Sequence, residues 1–137
     1  MQKNFELELN QLDILIKYLK EIINEDCIVI LRGDLASGKT TLVKNYVKAL
    51  GLADLVTSPT FSLQAIYSND IFHYDVYNKT LSEFISLGML EEFEKQGVHF
   101  VEWGDEKLEE ILNDYGYKVI LIEIEKKDNK RLYKIHA

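Results

Sequence analysis

GDLASGKTT, residues 33–41, has the spacing G-x-x-x-x-G-K-[ST] of a phosphate-binding loop. An apolar run over residues 27–31 precedes it and predicts a buried strand, and a helical pattern over residues 41–50 follows it and stops at Gly51. In such a strand–loop–helix unit, backbone N–H groups and the positive end of the helix dipole converge on bound phosphates. The stretch therefore predicts an α/β fold of the P-loop NTPase type that binds a nucleoside triphosphate.

Two side chains of this loop have predicted roles in the site. The Lys39 ammonium is expected to reach the β- and γ-phosphates of the nucleotide, and the Thr40 hydroxyl is expected to ligate Mg²⁺. Arginine, the usual donor of positive charge to the transition state of phosphoryl transfer, is scarce, because the chain contains only Arg32 and Arg131. Either Lys39 and Mg²⁺ do most of that work, or a partner supplies the missing cation.

The length and composition of the chain are those of one soluble domain. Its 137 residues are 47% apolar and 28% charged, and the single cysteine, Cys27, cannot form an internal disulfide. No apolar run reaches the roughly 18 residues of a membrane span, and the N-terminal residues lack the apolar core of a signal peptide. The net charge of −7 disfavours independent, non-specific binding to nucleic acid. We expect a cytoplasmic protein with no membrane association.

The rest of the chain mixes βαβ units with antiparallel pairs of strands. Asn10 is expected to cap a first helix, whose apolar residues between 12 and 23 have helical spacing. The other predicted elements are an edge strand at 5–9, strands at 61–67, 71–74 and 98–101, helices at 81–87 and 106–113, and a terminal hairpin of 117–125 with 131–136. The pattern predicts one domain over residues 1–137, a mixed β-sheet flanked by helices with a C-terminal β-hairpin.

Two apolar strands of the predicted sheet each end in a carboxylate. Residues 71–74 are followed by Asp75, and residues 98–101 are followed by Glu102. Either acid alone is compatible with a solvated strand end, but the two together, in a chain with a phosphate loop, indicate the acidic half of a nucleotide site. We expect both to face the nucleotide, one on the water shell of the metal and the other orienting or activating the attacking water.

Three further features have more than one interpretation. Residues 57–60 carry three hydroxyls on a loop stiffened by Pro59, and they follow the phosphate loop in the sequence as a γ-phosphate-sensing segment does. Ordinary turns also favour Ser and Pro, so the residues are compatible with either interpretation. Trp103 follows the second acid directly and is expected to pack in the core or at its rim, to shield the site, or to stack on an aromatic partner. His73 and His99 are expected to be satisfied core or rim histidines, since no Cys or His cluster has metal-ligand spacing.

Five blocks of residues occur in the order found in a known family. They are GDLASGKTT at 33–41, VTSPTF at 56–61, HYDVY at 73–77, EFISLGMLE at 83–91 and VEW at 101–103. In these blocks the chain resembles the TsaE (YjeE) family of small bacterial ATPases, which are required for making threonylcarbamoyladenosine in tRNA. The resemblance implies a P-loop fold with a mixed sheet, the cofactors ATP and Mg²⁺, and two partners, a TsaD-like and a TsaB-like protein.

The activity implied by the resemblance is a weak ATPase that its partners stimulate. In this family TsaD transfers the threonylcarbamoyl group to an adenosine of tRNA, with TsaB as its companion, and ATP hydrolysis supports turnover of that assembly. The chain would then reach tRNA only indirectly, through the complex. The alternatives are a nucleotide-gated interaction subunit with negligible hydrolysis and, disfavoured by the scarcity of arginine, a small-molecule kinase. A GTPase is also disfavoured, since Asn78-Lys79 lacks the nearby aspartate that recognises guanine.

The resemblance also implies roles for individual residues. The implied catalytic residues are Lys39, Asp75 and Glu102, and the implied metal ligands are Thr40 and Glu102. The implied nucleotide-binding residues are Gly33, Leu35, Ala36, Ser37, Gly38, Lys39, Thr40, Thr41, Ser58, Thr60, Asp75 and Trp103, with Asn10, Asp105 and Arg131 near the adenine or ribose.

The chain departs from the family pattern at three places. Ala36-Ser37 stand where Gly-Ala is usual, and if position 36 needs a positive φ, alanine there costs about 1 kcal/mol. Asn78 stands where the family has an arginine, so no role of that arginine can be carried over. Asp105 is a shorter acid than the glutamate more common at its position.

Overall fold

Seven strands form one mixed sheet in the computed structural model, which describes residues 1–137. The strands are β1 (Gln2–Leu7), β2 (Cys27–Arg32), β3 (Gln64–Tyr67), β4 (Ile71–Asp75), β5 (Val98–Glu102), β6 (Val119–Lys127) and β7 (Lys130–His136). The helices are α1 (Leu12–Ile22), α2 (Lys39–Ala49), α3 (Leu81–Ser86) and α4 (Glu106–Asp114), with 3₁₀ turns at Leu9–Gln11 and Leu90–Glu94. The strand order is β1-β7-β6-β2-β5-β4-β3, which confirms the predicted α/β fold with a mixed sheet and a C-terminal β6–β7 hairpin.

The centre of the sheet is parallel. β2 pairs in parallel with β5 and β6, and β4 pairs in parallel with β5, whereas β1, β3 and β7 pair antiparallel with their neighbours. β2 is buried at every position from 27 to 31, because a strand covered on both faces has no side that meets water. The carboxyl ends of β2, β4 and β5 therefore meet at one edge of the sheet, the edge at which ligands bind in α/β folds.

Helices cover both faces of the sheet and enclose two apolar cores. α1 and α2 pack on one face, where Leu15, Leu19 and Leu42 are completely buried. α3 and α4 pack on the other face through Phe84 and Leu112. Both layers hold the sheet in place behind the edge where the strand ends meet.

The four helices can be compared with the requirements of a membrane span. None of them combines the length and the apolar character that crossing a lipid bilayer requires.

Two local predictions are wrong. Asn10 does not cap α1, because it lies inside the 3₁₀ turn, where the Glu8 N–H donates to the Gln11 side chain at 2.9 Å and the chain tightens before the helix begins. The strand predicted at 61–67 begins only at Gln64, because Leu63 has a φ of +66°, which is incompatible with extended backbone. The other predicted elements are present with shifts at their ends.

Candidate functional site

A cavity of about 530 Å³ opens at the carboxyl ends of β2, β4 and β5. Its walls are residues 35–41, the hydroxyls of Ser58 and Thr60, Asp75 with Tyr77, and Glu102 with Trp103. The fold thus brings together the phosphate loop, the 57–60 loop and both strand-end carboxylates. The volume is in the usual range for a site that binds a small molecule.

The phosphate loop has a tight backbone that depends on its glycines. Gly38, directly before α2, has a φ of +108°, in the region that side chains disfavour. At Gly33 a Cβ atom would lie 2.5 Å from Ser37 Oγ and 2.7 Å from the Ile124 carbonyl oxygen, so only glycine fits there. Ala36 has a φ of +60°, and at this positive φ an alanine is strained. The loop leads directly into the N-terminus of α2, where N–H groups favour an anion.

The Lys39 ammonium lies inside this loop. Its Nζ donates to the carbonyl oxygens of Gly33 at 2.6 Å and Asp34 at 3.0 Å, and it lies 3.9 Å from the ring centroid of Trp103. Burial lowers the pKa of the Lys39 ammonium, and the carboxylates at the ends of β4 and β5 partly oppose that effect. Lys39 is therefore a nearly buried cation at the wall of the cavity, which suits a phosphate ligand.

Thr40 and Glu102 join the start of α2 to the end of β5. The Thr40 hydroxyl donates to Glu102 Oε2 at 2.7 Å, and Glu102 is 3% exposed. Such a pair of oxygen groups is what Mg²⁺ takes from a protein when phosphates and water fill its remaining positions. No cluster of three His, Cys, Asp or Glu side chains is placed to hold a metal by itself. The Thr40–Glu102 pair fits a magnesium ion whose other ligands would come from phosphate and water.

Asp75 lies beside Glu102 in the register of β4 and β5 and is tied to the 57–60 loop. Its Oδ2 accepts from the hydroxyls of Ser58 at 2.7 Å and Thr60 at 3.2 Å, and its Oδ1 accepts from the Tyr77 N–H at 3.0 Å. Because Asp75 is 4% exposed, these donors offset the loss of solvation of its carboxylate. Two hydroxyls of the 57–60 loop, those of Ser58 and Thr60, therefore lie at the cavity, and a role for them in sensing phosphate stays a prediction.

Trp103 forms one side of the cavity. Its ring centroid lies 4.8 Å from that of Tyr77, and its backbone φ of +71° is unusual for a bulky residue. The Trp103 N–H donates to the Leu31 carbonyl oxygen at 3.0 Å and holds this conformation at the end of β2. Backbone strain fixed by surrounding structure is typical of functional sites. Trp103 both packs at the rim and shields the Lys39 ammonium.

Neither arginine lines the cavity. Arg32 donates to the Gly104 carbonyl oxygen and to the Glu109 carboxylate, each at 2.7 Å. Arg131 donates from Nε to the Ser37 carbonyl oxygen at 3.1 Å and so braces the phosphate loop from outside. The only cationic side chain in the cavity wall is therefore that of the loop lysine.

Asn10 and Asp105, predicted near the adenine or ribose, are absent from the cavity lining. Asp105 caps α4, because its Oδ1 accepts from the Leu108 N–H at 2.9 Å. Asn10 is exposed in its 3₁₀ turn. A role for either residue, or for Arg131, at the nucleoside stays a prediction.

The sequence did not indicate a histidine behind Glu102. His73 is completely buried, as expected of a core histidine, and its Nε2 donates to Glu102 Oε2 at 2.5 Å. Its Nδ1 is hydrogen-bonded to the Tyr67 hydroxyl at 2.9 Å. Alternation along β4 places His73 and Asp75 on one face, but only the register of β4 against β5 brings Glu102 within reach.

Comparison with known proteins gives one consistent family. The family model described as "Threonylcarbamoyl adenosine biosynthesis protein TsaE" matches residues 8–133. A Treponema pallidum protein named "tRNA threonylcarbamoyladenosine biosynthesis protein TsaE" is 38% identical over 93 residues, which cover 66% of this chain and 69% of that protein. A Rickettsia prowazekii protein of the same name is 34% identical over 125 residues, covering 88% of this chain and 84% of that protein.

Two further comparisons involve Bacillus subtilis. Its protein of the same name is 40% identical over 79 residues, and the match spans 56% of this chain and about half, 49%, of that relative. The crystal structure of Bacillus subtilis YdiB superposes with a TM-score of 0.69 at 24% identity, covering 98% of this chain and 84% of YdiB. The superposition shows that the two share a fold along almost the whole chain.

Proposed function

The chain belongs to the TsaE family of threonylcarbamoyl adenosine biosynthesis proteins, and we propose that it serves that pathway as a magnesium-dependent ATPase. One observation carries the proposal: the phosphate loop, its lysine, and the Thr40–Glu102 pair line one cavity at the sheet edge. A backbone shaped to receive phosphates stands there beside oxygen groups suited to Mg²⁺. Bound Mg²⁺ would neutralise charge that develops on the phosphates during transfer.

The residues of this site have different roles in the proposed reaction. The loop N–H groups and Lys39 hold the phosphates, and Thr40 and Glu102 hold the metal. Asp75, already an acceptor for the hydroxyls of the 57–60 loop, orients the attacking water. Trp103 keeps bulk water away from the lysine and strengthens its attraction to the phosphates.

Hydrolysis by the chain alone is expected to be slow. A catalytic arginine raises the rate of phosphoryl transfer by about 10³- to 10⁵-fold in enzymes that use one. Here Arg32 is engaged by Gly104 and Glu109, and Arg131 lies outside the loop. The missing cation then comes from a partner, and hydrolysis supports turnover of a complex with TsaD-like and TsaB-like proteins. The chain reaches tRNA through that complex, in the cytoplasm.

A pair of substitutions at Thr40 tests the metal site. Thr40→Val keeps the shape of the side chain but removes the hydroxyl, and Thr40→Ser keeps the hydroxyl. Thr40→Val should lower Mg²⁺-dependent ATP hydrolysis by about 10-fold or more. Loss of an outer-shell group already lowers metal affinity or activity by about 10- to 100-fold, and loss of a direct ligand should cost at least as much. Thr40→Ser should stay close to the unchanged protein. Equal rates for the two variants would remove Thr40 from the metal site.

The partner role is tested by capture with purified proteins. The tagged chain is mixed with TsaD-like and TsaB-like proteins in the presence of ATP, of ADP, or of no nucleotide, and the bound fraction is measured. We expect capture that depends on the nucleotide and an ATPase rate that rises when both partners are present. Capture that is identical in all three conditions, with no rise in rate, would contradict the proposal.

A nucleotide-gated interaction subunit with negligible hydrolysis is the second candidate. The observation in its favour is that the cavity wall has one cationic side chain and no arginine. The two candidates differ in a single measurement, the ATPase rate of the assembled complex. A complex that forms only with ATP and never hydrolyses it would favour the second. A small-molecule kinase fits less well, since two phosphorylated substrates need several cations.

A further inference from the structure

Hydrogen-bonded groups run behind the cavity from the 57–60 loop to Glu102. The Tyr67 hydroxyl donates to the Thr57 carbonyl oxygen at 3.4 Å and is hydrogen-bonded to His73 Nδ1 at 2.9 Å. His73 Nε2 donates to Glu102 Oε2 at 2.5 Å, and the Thr40 hydroxyl donates to the same oxygen at 2.7 Å. The side chains between the ends are buried, with Tyr67 9% and His73 0% exposed. The connection begins at the loop that holds one carboxylate of the site and ends at the other carboxylate.

The two oxygens of Glu102 are not equivalent in this arrangement. Oε2 accepts from both Thr40 and His73, whereas Oε1 makes no hydrogen bond. Since no buried polar side-chain atom is without a partner, Oε1 retains contact with the cavity that Glu102 lines. One oxygen of the carboxylate is therefore held by the protein, and the other is left accessible.

We propose that His73 and Tyr67 are positioning residues, with His73 orienting the Glu102 carboxylate and Tyr67 fixing the His73 ring and linking it to the 57–60 loop. The inference rests on the proposed function, because it takes Glu102 to be a ligand of nucleotide-borne Mg²⁺. Both ring nitrogens of His73 are bonded, so the ring cannot turn without breaking two contacts. Outer-shell bonds of this kind set the direction of metal-ligating groups.

If the arrangement were purely structural, the Tyr67 hydroxyl would not be needed to satisfy Glu102. A buried carboxylate needs donors, and Thr40 and His73 supply them whatever Tyr67 does. Tyr67 makes no hydrogen bond to Glu102 and does not line the cavity. If Tyr67 only fills space, loss of its hydroxyl changes stability and leaves the affinity for Mg²⁺ as it was. If Tyr67 acts through His73, loss of the hydroxyl changes that affinity.

The opposite face of the sheet contains a matched control for this test. The Tyr74 hydroxyl is hydrogen-bonded to His99 Nδ1 at 2.7 Å, and His99 Nε2 donates to the Lys95 carbonyl oxygen at 2.8 Å. Tyr74 and His99 are 0% and 1% exposed. This pair has the same two side-chain types, also buried, but its hydrogen bonds end at a backbone carbonyl away from the site. Tyr74→Phe therefore removes an equivalent bond that has no connection to Glu102.

The experiment compares Tyr67→Phe with Tyr74→Phe in the full chain. ATP is held constant, Mg²⁺ is titrated, and the fluorescence of Trp103 in the cavity wall reports binding; urea unfolding of each variant gives its stability. Tyr67→Phe should raise the Mg²⁺ concentration at half-saturation by about 2- to 10-fold, the factor expected from one lost hydrogen bond. Tyr74→Phe should leave that concentration unchanged, although both variants lose stability. Equal Mg²⁺ dependence in the two variants overturns the inference.

A double substitution gives a second, independent readout. In a Glu102→Gln background, Tyr67→Phe should have no further effect on the Mg²⁺ dependence, because the group that Tyr67 helps to orient is no longer a carboxylate. Effects that simply add would overturn the inference. His73→Gln, which keeps an amide donor toward Glu102, should retain more Mg²⁺ affinity than His73→Leu; equal loss in the two would also count against a positioning role.

The unchanged protein separates failure of the inference from failure of the proposed function. If it gives no response to ATP with Mg²⁺ by fluorescence or by equilibrium dialysis, the proposed function fails, and the inference fails with it. If it responds normally while Tyr67→Phe matches Tyr74→Phe, only the inference fails.

Discussion

Replacing Ala36 with glycine should stabilise the protein, although glycine usually weakens a fold. Ala36 has a φ of +60°, where an L-residue with a Cβ is strained by about 1–2 kcal/mol. Glycine relieves that strain but loses about 0.5–1 kcal/mol more backbone entropy on folding. Ala36 is exposed, so removal of its methyl group gives up little packing. The difference is a gain of about 0.5–1 kcal/mol in the free energy of unfolding.

Urea unfolding without nucleotide measures this gain, because a bound ligand would add its own stabilisation. With a urea slope of about 2 kcal/mol per molar, the midpoint should rise by about 0.3–0.5 M. Ala53→Gly is the matched control, since Ala53 is also an exposed loop alanine but its φ is not positive. There glycine should lower the stability. If both substitutions lower the midpoint by similar amounts, the strain assigned to Ala36 is absent.

Three further predictions concern the cavity. Lys39→Ala should abolish ATP binding in equilibrium dialysis, whereas Lys44→Ala, at an exposed position of the same helix, should leave it intact; retained binding by the first variant would remove Lys39 from the site. Glu102→Ala should spare most nucleotide binding but cut Mg²⁺-dependent hydrolysis by about 10-fold or more, and an unchanged rate would make Glu102 a structural acid. ATP affinity should fall as the pH rises toward 10.5, the ordinary pKa of lysine. Burial lowers the pKa of Lys39, so its ammonium loses its charge before that pH is reached. An ATP affinity that stays constant through that pH range would contradict this prediction.

The phosphate loop could be predicted from sequence because its determinants are contiguous. Gly33, Gly38 and Lys39 lie in one short stretch of the chain. The strand before them and the helix after them have clear hydrophobic periodicities. Asp75 and Glu102 could be proposed as partners because each ends an apolar strand, and parallel strands end at one edge. The predicted fold follows from the same local patterns.

Other parts of the site depend on contacts that no local pattern contains. The bond between His73 and Glu102 requires the register of β4 against β5, and the bond to Tyr67 requires the turn between β3 and β4. The late start of β3 comes from a positive φ at Leu63, a residue type for which that conformation is rare. These features are set by tertiary packing that overrides residue preferences.

The side chains that are expected to bind a nucleotide are hydrogen-bonded to groups of the protein. Lys39 donates to carbonyl oxygens of the loop, Thr40 donates to Glu102, and hydroxyls of the 57–60 loop donate to Asp75. At these side chains a nucleotide would gain hydrogen bonds by displacing existing ones, whereas Glu102 Oε1 is an acceptor without a partner. The net gain from each exchanged bond would therefore be small. We propose that the same exchange would free the 57–60 loop when its hydroxyls turn to phosphate, so that a partner could distinguish ATP from ADP by the position of that loop.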